Sequence, residues 1–179
     1  MTCDIVAVWA EIDTWLASHA PTTLAALDGP VSDETVAEVE RALGRALPPD
    51  VLTSYRVHDG YAGLTDYEYI SLGAGLELWQ SQVNKTGPVR VTASSKIKPV
   101  YWHPGWFPVA MDSGGNLLCV DLDPGPAGTF GQLVWWEVHE GPFVSEHASW
   151  GGWLDRFRRG LAAGEFGTDE NGRIEAKVR

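Results

Sequence analysis

Three aspartates are the residues of this sequence best suited to metal chemistry: Asp112, Asp121 and Asp123. Asp121 and Asp123 are two residues apart at the end of an extended run, so their carboxylates share one face. With Asp112 they could hold a divalent cation, because Ca²⁺ and Mg²⁺ prefer carboxylate oxygens. A calcium-binding loop needs more oxygen ligands at fixed spacing, including a distal glutamate, and the sequence lacks them. We therefore predict solvated acids beside turns and no metal site.

The histidines offer general acid–base catalysis as a second chemistry. His58 precedes Asp59, which pairs a base with an acid that would orient it. Adjacent residues on a helix point about 100° apart, so a direct dyad is unfavourable. The five histidines and two cysteines show no zinc-binding spacing, and neither a nucleophile elbow nor a glycine-rich phosphate loop occurs. The sequence therefore predicts no catalytic residues and no cofactor, although a pocket rimmed by His58, Asp59 or the acids of 112–123 would suit a small-ligand binder or an enzyme.

Charge is arranged in blocks, and its balance is acidic. The net charge is −11, and residues 1–80 hold thirteen acidic but only three basic groups. Residues 81–111 hold four basic groups and no acidic one, whereas residues 112–155 hold seven acidic groups and no basic one. Nucleic acids and anionic membranes select for Lys and Arg, so we expect neither as a partner. A basic protein partner is compatible with this charge.

The elements that position these residues change type along the chain. Apolar residues recur at three- and four-residue steps from Ile5 to Leu16, which predicts a helix. Ser32 and Ser149 are suited to cap two further helices, and Pro49 can open a short helix between them. Another short helix is predicted over Leu76–Val83. Apolar runs separated by Gly and Pro clusters predict strands at 69–72, 107–111, 117–122, 132–138 and 143–147.

The gaps between the later strands leave no room for a crossover helix, so antiparallel neighbours are favoured. The fold class is therefore predicted to be α+β: a single domain with a mainly antiparallel sheet flanked by N-terminal helices and a C-terminal helix. Asp112 to Asn116 reads as a hairpin turn within this sheet. The chain start lacks a basic region, and no run reaches the ~18 apolar residues of a membrane span. We expect a cytoplasmic protein with no membrane partner.

Nine tryptophans are unusual for 179 residues. Four of them recur with the apolar stripes of predicted helices, and we expect them in the core: Trp9, Trp15, Trp150 and Trp153. Trp135 and Trp136 are adjacent in a strand and must point to opposite faces. The other three (Trp79, Trp102 and Trp106) are less determined, and an exposed one would mark an interface, since tryptophan is enriched in binding hot spots. The basic block at residues 81–111 is predicted to be an exposed loop.

Several short motifs occur in an order that resembles a known family. They are Glu40-Arg-Ala-Leu-Gly44, Leu47-Pro-Pro-Asp50, His58-Asp-Gly60, Trp106-Phe-Pro-Val-Ala-Met-Asp112, Leu118-Cys-Val-Asp-Leu-Asp123-Pro124 and Trp153-Leu154. Their order over residues 9–160 is similar to that of the SUKH superfamily, which includes the Smi/Knr cell-wall-synthesis regulators and many bacterial relatives. The resemblance implies an α+β fold and a non-enzymatic, protein-binding role. Bacterial members resemble immunity proteins that block a cognate toxin, often a nuclease, whereas the fungal regulator acts in cell-wall signalling.

These observations predict a SUKH-like domain over residues 1–163, followed by a polar C-terminal tail at 164–179. The preferred hypothesis is a bacterial toxin-neutralising immunity protein whose acidic surface covers a basic, nuclease-like active site. The alternative is a regulatory or scaffold protein in cell-wall assembly or stress signalling. The residues predicted to contact the partner are Asp59, Asp66, Glu68, Asp112, Asp121, Asp123 and Trp106.

Overall fold

Helices occupy most of the chain before residue 60 and return near its end. The computed structural model describes residues 4–60, 62–89 and 95–177. Within them the helices are α1 (Ile5–His19), α2 (Pro21–Ala26), α3 (Asp33–Leu43), α4 (Pro49–Tyr55), α5 (Leu72–Gln82) and α6 (Trp150–Ala162). None of these helices is both long and apolar enough to cross a membrane.

Helix ends follow local capping chemistry. Ser32 and Ser149 act as predicted: their hydroxyls accept hydrogen bonds from the backbone of Thr35 and Gly152. Ser71 caps α5 in the same way, so this helix begins four residues before the predicted Leu76. The predicted strand at 69–72 is correspondingly displaced, because residues 70 and 71 lead into the helix.

The sheet is a simple antiparallel meander. Its strands, in both chain and spatial order, are β1 (Ala62–Leu64), β2 (Tyr67–Tyr69), β3 (Trp106–Asp112), β4 (Leu117–Asp121), β5 (Leu133–Glu137) and β6 (Gly141–Val144). Every neighbouring pair is antiparallel. The predicted α+β class with a mainly antiparallel sheet is confirmed.

The two faces of the sheet carry separate apolar clusters, because side chains alternate along each strand. On one face, Phe107, Leu118 and Leu133 belong to the core that holds the buried sides of α1, α3, α4 and α6. We call this the helix-covered face. On the opposite face, strand residues pack with side chains of the segment before β3, and this cluster contains Ile97, Trp102, Trp106, Leu117, Cys119, Val134 and Trp136.

The tryptophans divide between these clusters and the margins of the fold. Six are buried: Trp9, Trp102, Trp106, Trp136, Trp150 and Trp153. Trp15, Trp79 and Trp135 are half-buried. The helical tryptophans thus lie in the core as predicted, except that Trp15 keeps part of its surface in solvent. Trp135 and Trp136 do point to opposite faces.

Two segments differ from the predicted description. The polar tail contains a second, two-stranded sheet of β7 (Phe166–Thr168) and β8 (Ile174–Ala176), and Ile174 is buried in the main core. This apolar residue ties the segment to the domain although its neighbours are polar. In the basic block 81–111, Ile97 and Trp102 are buried in one apolar cluster and residues 106–111 belong to β3, so this block is not an exposed loop. Arg90 and residues 91–94 lie outside the described residues.

Candidate functional site

Three hairpin turns lie at the same end of the sheet. In an antiparallel meander the turns alternate between the two ends, so the β1–β2, β3–β4 and β5–β6 turns share one end. We call it the hairpin end. Asp66 lies in the first of these turns, Asp112 begins the second, and Glu137 precedes the third. Short strands and short turns therefore bring together acids that are far apart in sequence.

An aromatic pair lies among these acids on the helix-covered face. The rings of Tyr67 and Trp135 meet edge to face with centroids 5.1 Å apart, and both side chains are half-buried. Tyr67 is directly opposite Asp112 in the β2–β3 register. Burial raises the pKa of the Tyr67 hydroxyl above 10.0, and the carboxylates of Asp112, Asp66 and Glu137 raise it further. We call these five residues the acidic–aromatic surface.

The three acids of this surface differ in exposure and in the hydrogen bonds that they already accept. Asp112 is committed to its turn, because its carboxylate accepts hydrogen bonds from the amides of Gly114 and Asn116 at 2.8 and 2.9 Å and from the Asn116 side chain. One oxygen of Glu137 accepts from the Trp135 indole at 3.0 Å, which orients the ring. Asp66 is exposed. Among the described residues, no basic side chain lies within salt-bridge distance of these three carboxylates.

A groove of about 230 Å³ continues the surface toward α6 and the β7–β8 hairpin. Its floor is aromatic, formed by Trp153, Phe157 and Phe166, and its acidic rim is formed by Asp66 and Glu146. Its remaining lining residues are Thr65, His147, Arg156 and Ala176. Of the five residues of the acidic–aromatic surface, Asp66 alone also lines the groove, so the two adjoin at this acid.

The β1–β2 turn that presents Asp66 is strained. Thr65 has a backbone φ of 74°, in the left-handed region that a β-branched residue rarely adopts. Such a conformation costs about 1–2 kcal/mol. The two-residue connection between Leu64 and Tyr67 requires this tight turn, and the strain is stored beside the groove.

The aspartates at the opposite end of the sheet differ in burial and in their contacts. Asp121 is completely buried, and it accepts hydrogen bonds from the Gln132 side chain at 2.9 Å and the Asp123 amide at 3.1 Å. Burial raises the pKa of Asp121, and these two hydrogen bonds oppose that rise. Asp123 is partly exposed, with Lys98 Nζ at 3.8 Å and His103 Nε2 at 3.6 Å.

This arrangement corrects two predicted contact residues. Asp121 and Trp106 have no exposed surface, so neither can touch a partner in this conformation. They face each other in the β3–β4 register, covered by the segment before β3. The three aspartates considered as cation ligands do not come together, because Asp112 lies at the hairpin end and Asp121 and Asp123 lie at the opposite end. Among the described residues no cluster of three His, Cys, Asp or Glu groups could hold a metal.

The side chains of the His58-Asp-Gly60 motif form hydrogen bonds that connect separate parts of the fold. His58 Nε2 lies 3.1 Å from the Asp13 carboxylate of α1, and its Nδ1 lies 3.1 Å from the Asp28 carbonyl. Asp59 points elsewhere and accepts from the first amide of α5, that of Leu72, at 2.7 Å. Burial raises the pKa of Asp59, and this hydrogen bond opposes the rise. The two side chains therefore do not form a dyad.

Gly60 completes the motif through its backbone. Its φ is 80°, and an added Cβ would lie 2.3 Å from the carbonyl carbon of Ile70. Glu68, the remaining predicted residue, is half-buried and pairs with Met111 on the face opposite the aromatic pair. The structure thus brings Asp66 and Asp112 together and separates them from the other predicted residues.

Sequence reasoning missed Tyr67, Trp135, Glu137 and Glu146 at this site. The signal available was the period-two alternation of Trp135 and Glu137, which places both on one face. The sequence did not show which residues lie beside Trp135 and Glu137. Because β1 was not predicted, the position of the β1–β2 turn relative to β5 was unknown.

The fold defines an α+β domain whose antiparallel sheet is bounded by helices, with a distinct acidic and aromatic end. A model of the SMI1 / KNR4 family (SUKH-1) matches residues 30–156 of this chain. The chain belongs to this family, which confirms the resemblance inferred from the motifs. The matched range runs from the segment before α3 into α6 and includes all six strands of the main sheet.

Three fungal relatives have similar sequences. The chain is 26% identical to the "Cell wall assembly regulator SMI1" of Saccharomyces cerevisiae, covering 88% of this chain and 40% of that protein. It is 26% identical to the "Cell wall biosynthesis/cell cycle regulator smi1" of Schizosaccharomyces pombe, covering 91% and 37%. It is also 26% identical to the "Glucan synthesis regulatory protein" of Neurospora crassa, covering 93% and 40%. The chain therefore spans about two fifths of the length of these relatives, which are named as regulators.

Proposed function

We propose that this domain is a non-enzymatic regulatory module of cell-wall assembly that acts by binding a protein through its acidic–aromatic surface. The observation that carries the proposal is the half-buried Tyr67–Trp135 pair, bordered by carboxylates without a basic partner among the described residues. Tyrosine and tryptophan are enriched in binding hot spots. Carboxylates around them accelerate encounter with a basic partner and disfavour acidic ones. The relatives are named as regulators, which supports a regulatory rather than catalytic role.

A second candidate function is neutralisation of a toxin. The net charge of −11 and the acidic rim of the same surface favour it, because a basic nuclease-like cleft would be complementary. In that case the domain would act by occlusion of the toxin. Both candidates place the protein in the cytoplasm beside its partner, and they differ in what that partner is.

Gene deletion with complementation tests the proposal. We expect the deletion strain to become sensitive to an enzyme that digests its cell wall, and wild-type protein to restore resistance. The variant Asp66→Asn/Glu137→Gln should fail to restore it, since both changes remove charge with little change of shape. Glu38→Gln/Glu77→Gln, two exposed acids of α3 and α5, gives the same charge change elsewhere and should complement.

Each alternative outcome has a defined meaning. Full complementation by Asp66→Asn/Glu137→Gln would contradict a role for this surface. A deletion that leaves wall sensitivity unchanged, and that is lethal only when an adjacent toxin gene is intact, would replace the regulatory function with immunity.

A further inference from the structure

The acidic–aromatic surface and its groove have the chemistry of a site for one particular side chain. We propose that this region binds an arginine carried on an extended segment of the protein partner, with the guanidinium group against the Tyr67–Trp135 pair and paired with Asp66 and Glu137. The inference rests on the proposed function and adds the chemical class that the surface recognises.

The aromatic groups provide the first component of the site. Tyr67 and Trp135 are half-buried, so each residue keeps part of its surface in solvent while its side chain packs against the core. The edge-to-face contact and the indole hydrogen bond to Glu137 hold both rings in place before a ligand arrives. A guanidinium group stacks favourably on such faces, with about 0.5–2 kcal/mol of cation–π attraction. Binding would therefore require little ordering of the aromatic side chains.

The carboxylates provide the second component. Asp66 is exposed, and Glu137 uses one of its two oxygens to bind Trp135. A carboxylate has about four lone-pair positions, so both acids can accept further hydrogen bonds. Tyr67 follows Asp66 in the chain, lies opposite Asp112 in the β2–β3 register and contacts Trp135, whose indole is bonded to Glu137. The three carboxylates therefore surround one position, and they add to the effect of burial in raising the pKa of the Tyr67 hydroxyl. An incoming cation at this spot would experience the combined attraction.

The groove lies beside the proposed guanidinium position and shares Asp66 with it. Its volume of about 230 Å³ is smaller than the ~300–1,000 Å³ of typical small-molecule pockets, so it suits a neighbouring side chain of the bound segment better than a separate small molecule. Arg156 also lines the groove, where its guanidinium is paired with the Glu165 carboxylate at 2.6 Å. Burial lowers the pKa of His147 below 6.5, and that ring is therefore largely uncharged at neutral pH.

Arginine fits this arrangement better than lysine. Its planar guanidinium can stack on an aromatic ring and pair with a carboxylate through two parallel hydrogen bonds at the same time. Lysine is a compact, strongly hydrated charge that gains less from the rings. Selection of arginine over lysine is therefore a specific consequence of the aromatic pair, whereas simple attraction to an acidic protein would not distinguish them.

The test uses the full chain and the peptide acetyl-Ala-Arg-Ala-Arg-Ala-amide, followed by two-dimensional NMR of the nine indole N–H signals. The Trp135 signal is assigned with Trp135→Phe. We expect it to shift on titration, with affinity in the order arginine, lysine, then the uncharged citrulline peptide. In Asp66→Asn/Glu137→Gln the affinity should fall by ~10-fold or more, corresponding to about 1.4 kcal/mol. Glu38→Gln/Glu77→Gln should stay within ~2-fold of the wild type, as expected for charges outside the site.

The outcomes separate this inference from the proposed function. Equal affinity for arginine and lysine peptides, or equal losses in the two charge-matched variants, would overturn the arginine site and leave general attraction to the acidic protein. If the arginine site is overturned in this way but Asp66→Asn/Glu137→Gln still fails to complement the deletion, the surface binds its partner by other contacts. If the arginine site is confirmed but Asp66→Asn/Glu137→Gln complements the deletion, the regulatory function does not depend on this surface.

Discussion

The two ends of the sheet place aspartates in opposite environments. At the end of β4, Asp121 is completely buried and hydrogen-bonded to Gln132 and to the Asp123 amide. At the hairpin end, Asp66 is exposed and lies beside an aromatic pair. Both residues are acids at a strand boundary, so the residue type does not determine the role. The difference comes from what covers each position.

Connection length explains the coverage. The hairpin end has short turns, such as the two residues between β1 and β2, and these cannot fold back over the strands. The opposite end is crossed by longer connections, including residues 122–132 and the segment before β3. These supply Gln132 and the Lys96 carbonyl, which accepts from Gln132 at 2.8 Å. Asp121 is therefore enclosed at its end of the sheet, whereas Asp66 stays exposed at the hairpin end, even though Tyr101 of the segment before β3 donates to the Val138 carbonyl in the β5–β6 turn there.

The largest expected difference between the ends is in stability. Asp121→Ala should lower the free energy of unfolding by about 2–3 kcal/mol, because it leaves buried donors without an acceptor. Asp66→Ala should change it by no more than about 0.5 kcal/mol, as is usual for exposed residues. Urea unfolding of both variants measures the two values. Equal losses would show that the exposed acid is also structural and would remove the contrast between the ends.

The sequence allowed the elements to be predicted well where patterns are local. The stripe from Ile5 to Leu16, the caps at Ser32 and Ser149 and the strands β3 to β5 follow from periodicity and capping. Beyond these elements, β1, α2 and the β7–β8 hairpin were missed, and β2, β6 and the start of α5 are displaced from their predicted positions. The strands β1, β2, β7 and β8 have three residues each, too short to show a period, and they are stabilised by neighbours distant in sequence.

The site was less predictable than the fold, because it depends on register. The burial of Asp121 had a readable signal: it follows Leu117 and Cys119 at two-residue steps in a run that is apolar on both faces. No sequence signal indicated the contact between Tyr67 and Trp135. Predicting it requires knowing that β2 pairs with β3 and how far each strand extends. Composition indicated an acidic protein but could not locate the acids that face solvent together.

A smaller effect should appear in the pH dependence of stability. Because burial raises the pKa of Asp121 above 3.8, the folded state binds this proton more tightly than the unfolded chain. Its contribution to stability is therefore greatest below pH 3.8 and is lost as the pH rises from 3.8 to the folded-state pKa. We expect this to be smaller than the Asp121→Ala effect, because the hydrogen bonds from Gln132 and Asp123 compensate part of the cost of ionisation.

Asp121→Asn isolates this contribution, since the amide does not titrate. The free energy of unfolding of the wild type, measured by urea from below pH 3.8 to neutrality, should fall relative to that of Asp121→Asn. Asp66→Asn serves as the control at the exposed end and should follow the wild-type curve in this range. A constant difference between wild type and Asp121→Asn would mean that the carboxyl is not penalised by burial.

The smallest expected effect concerns the strained turn at the hairpin end. Thr65→Gly should raise the free energy of unfolding by about 0.5 kcal/mol, because relief of the left-handed strain exceeds the added entropy of glycine in the unfolded chain. Ser113→Gly, in the β3–β4 turn without a positive φ, has no strain to relieve and should lower it slightly. If Thr65 fixes Asp66 for binding, Thr65→Gly should also weaken the arginine peptide, so that stability and affinity change in opposite directions. A gain in both would show that the strained turn is incidental to the surface.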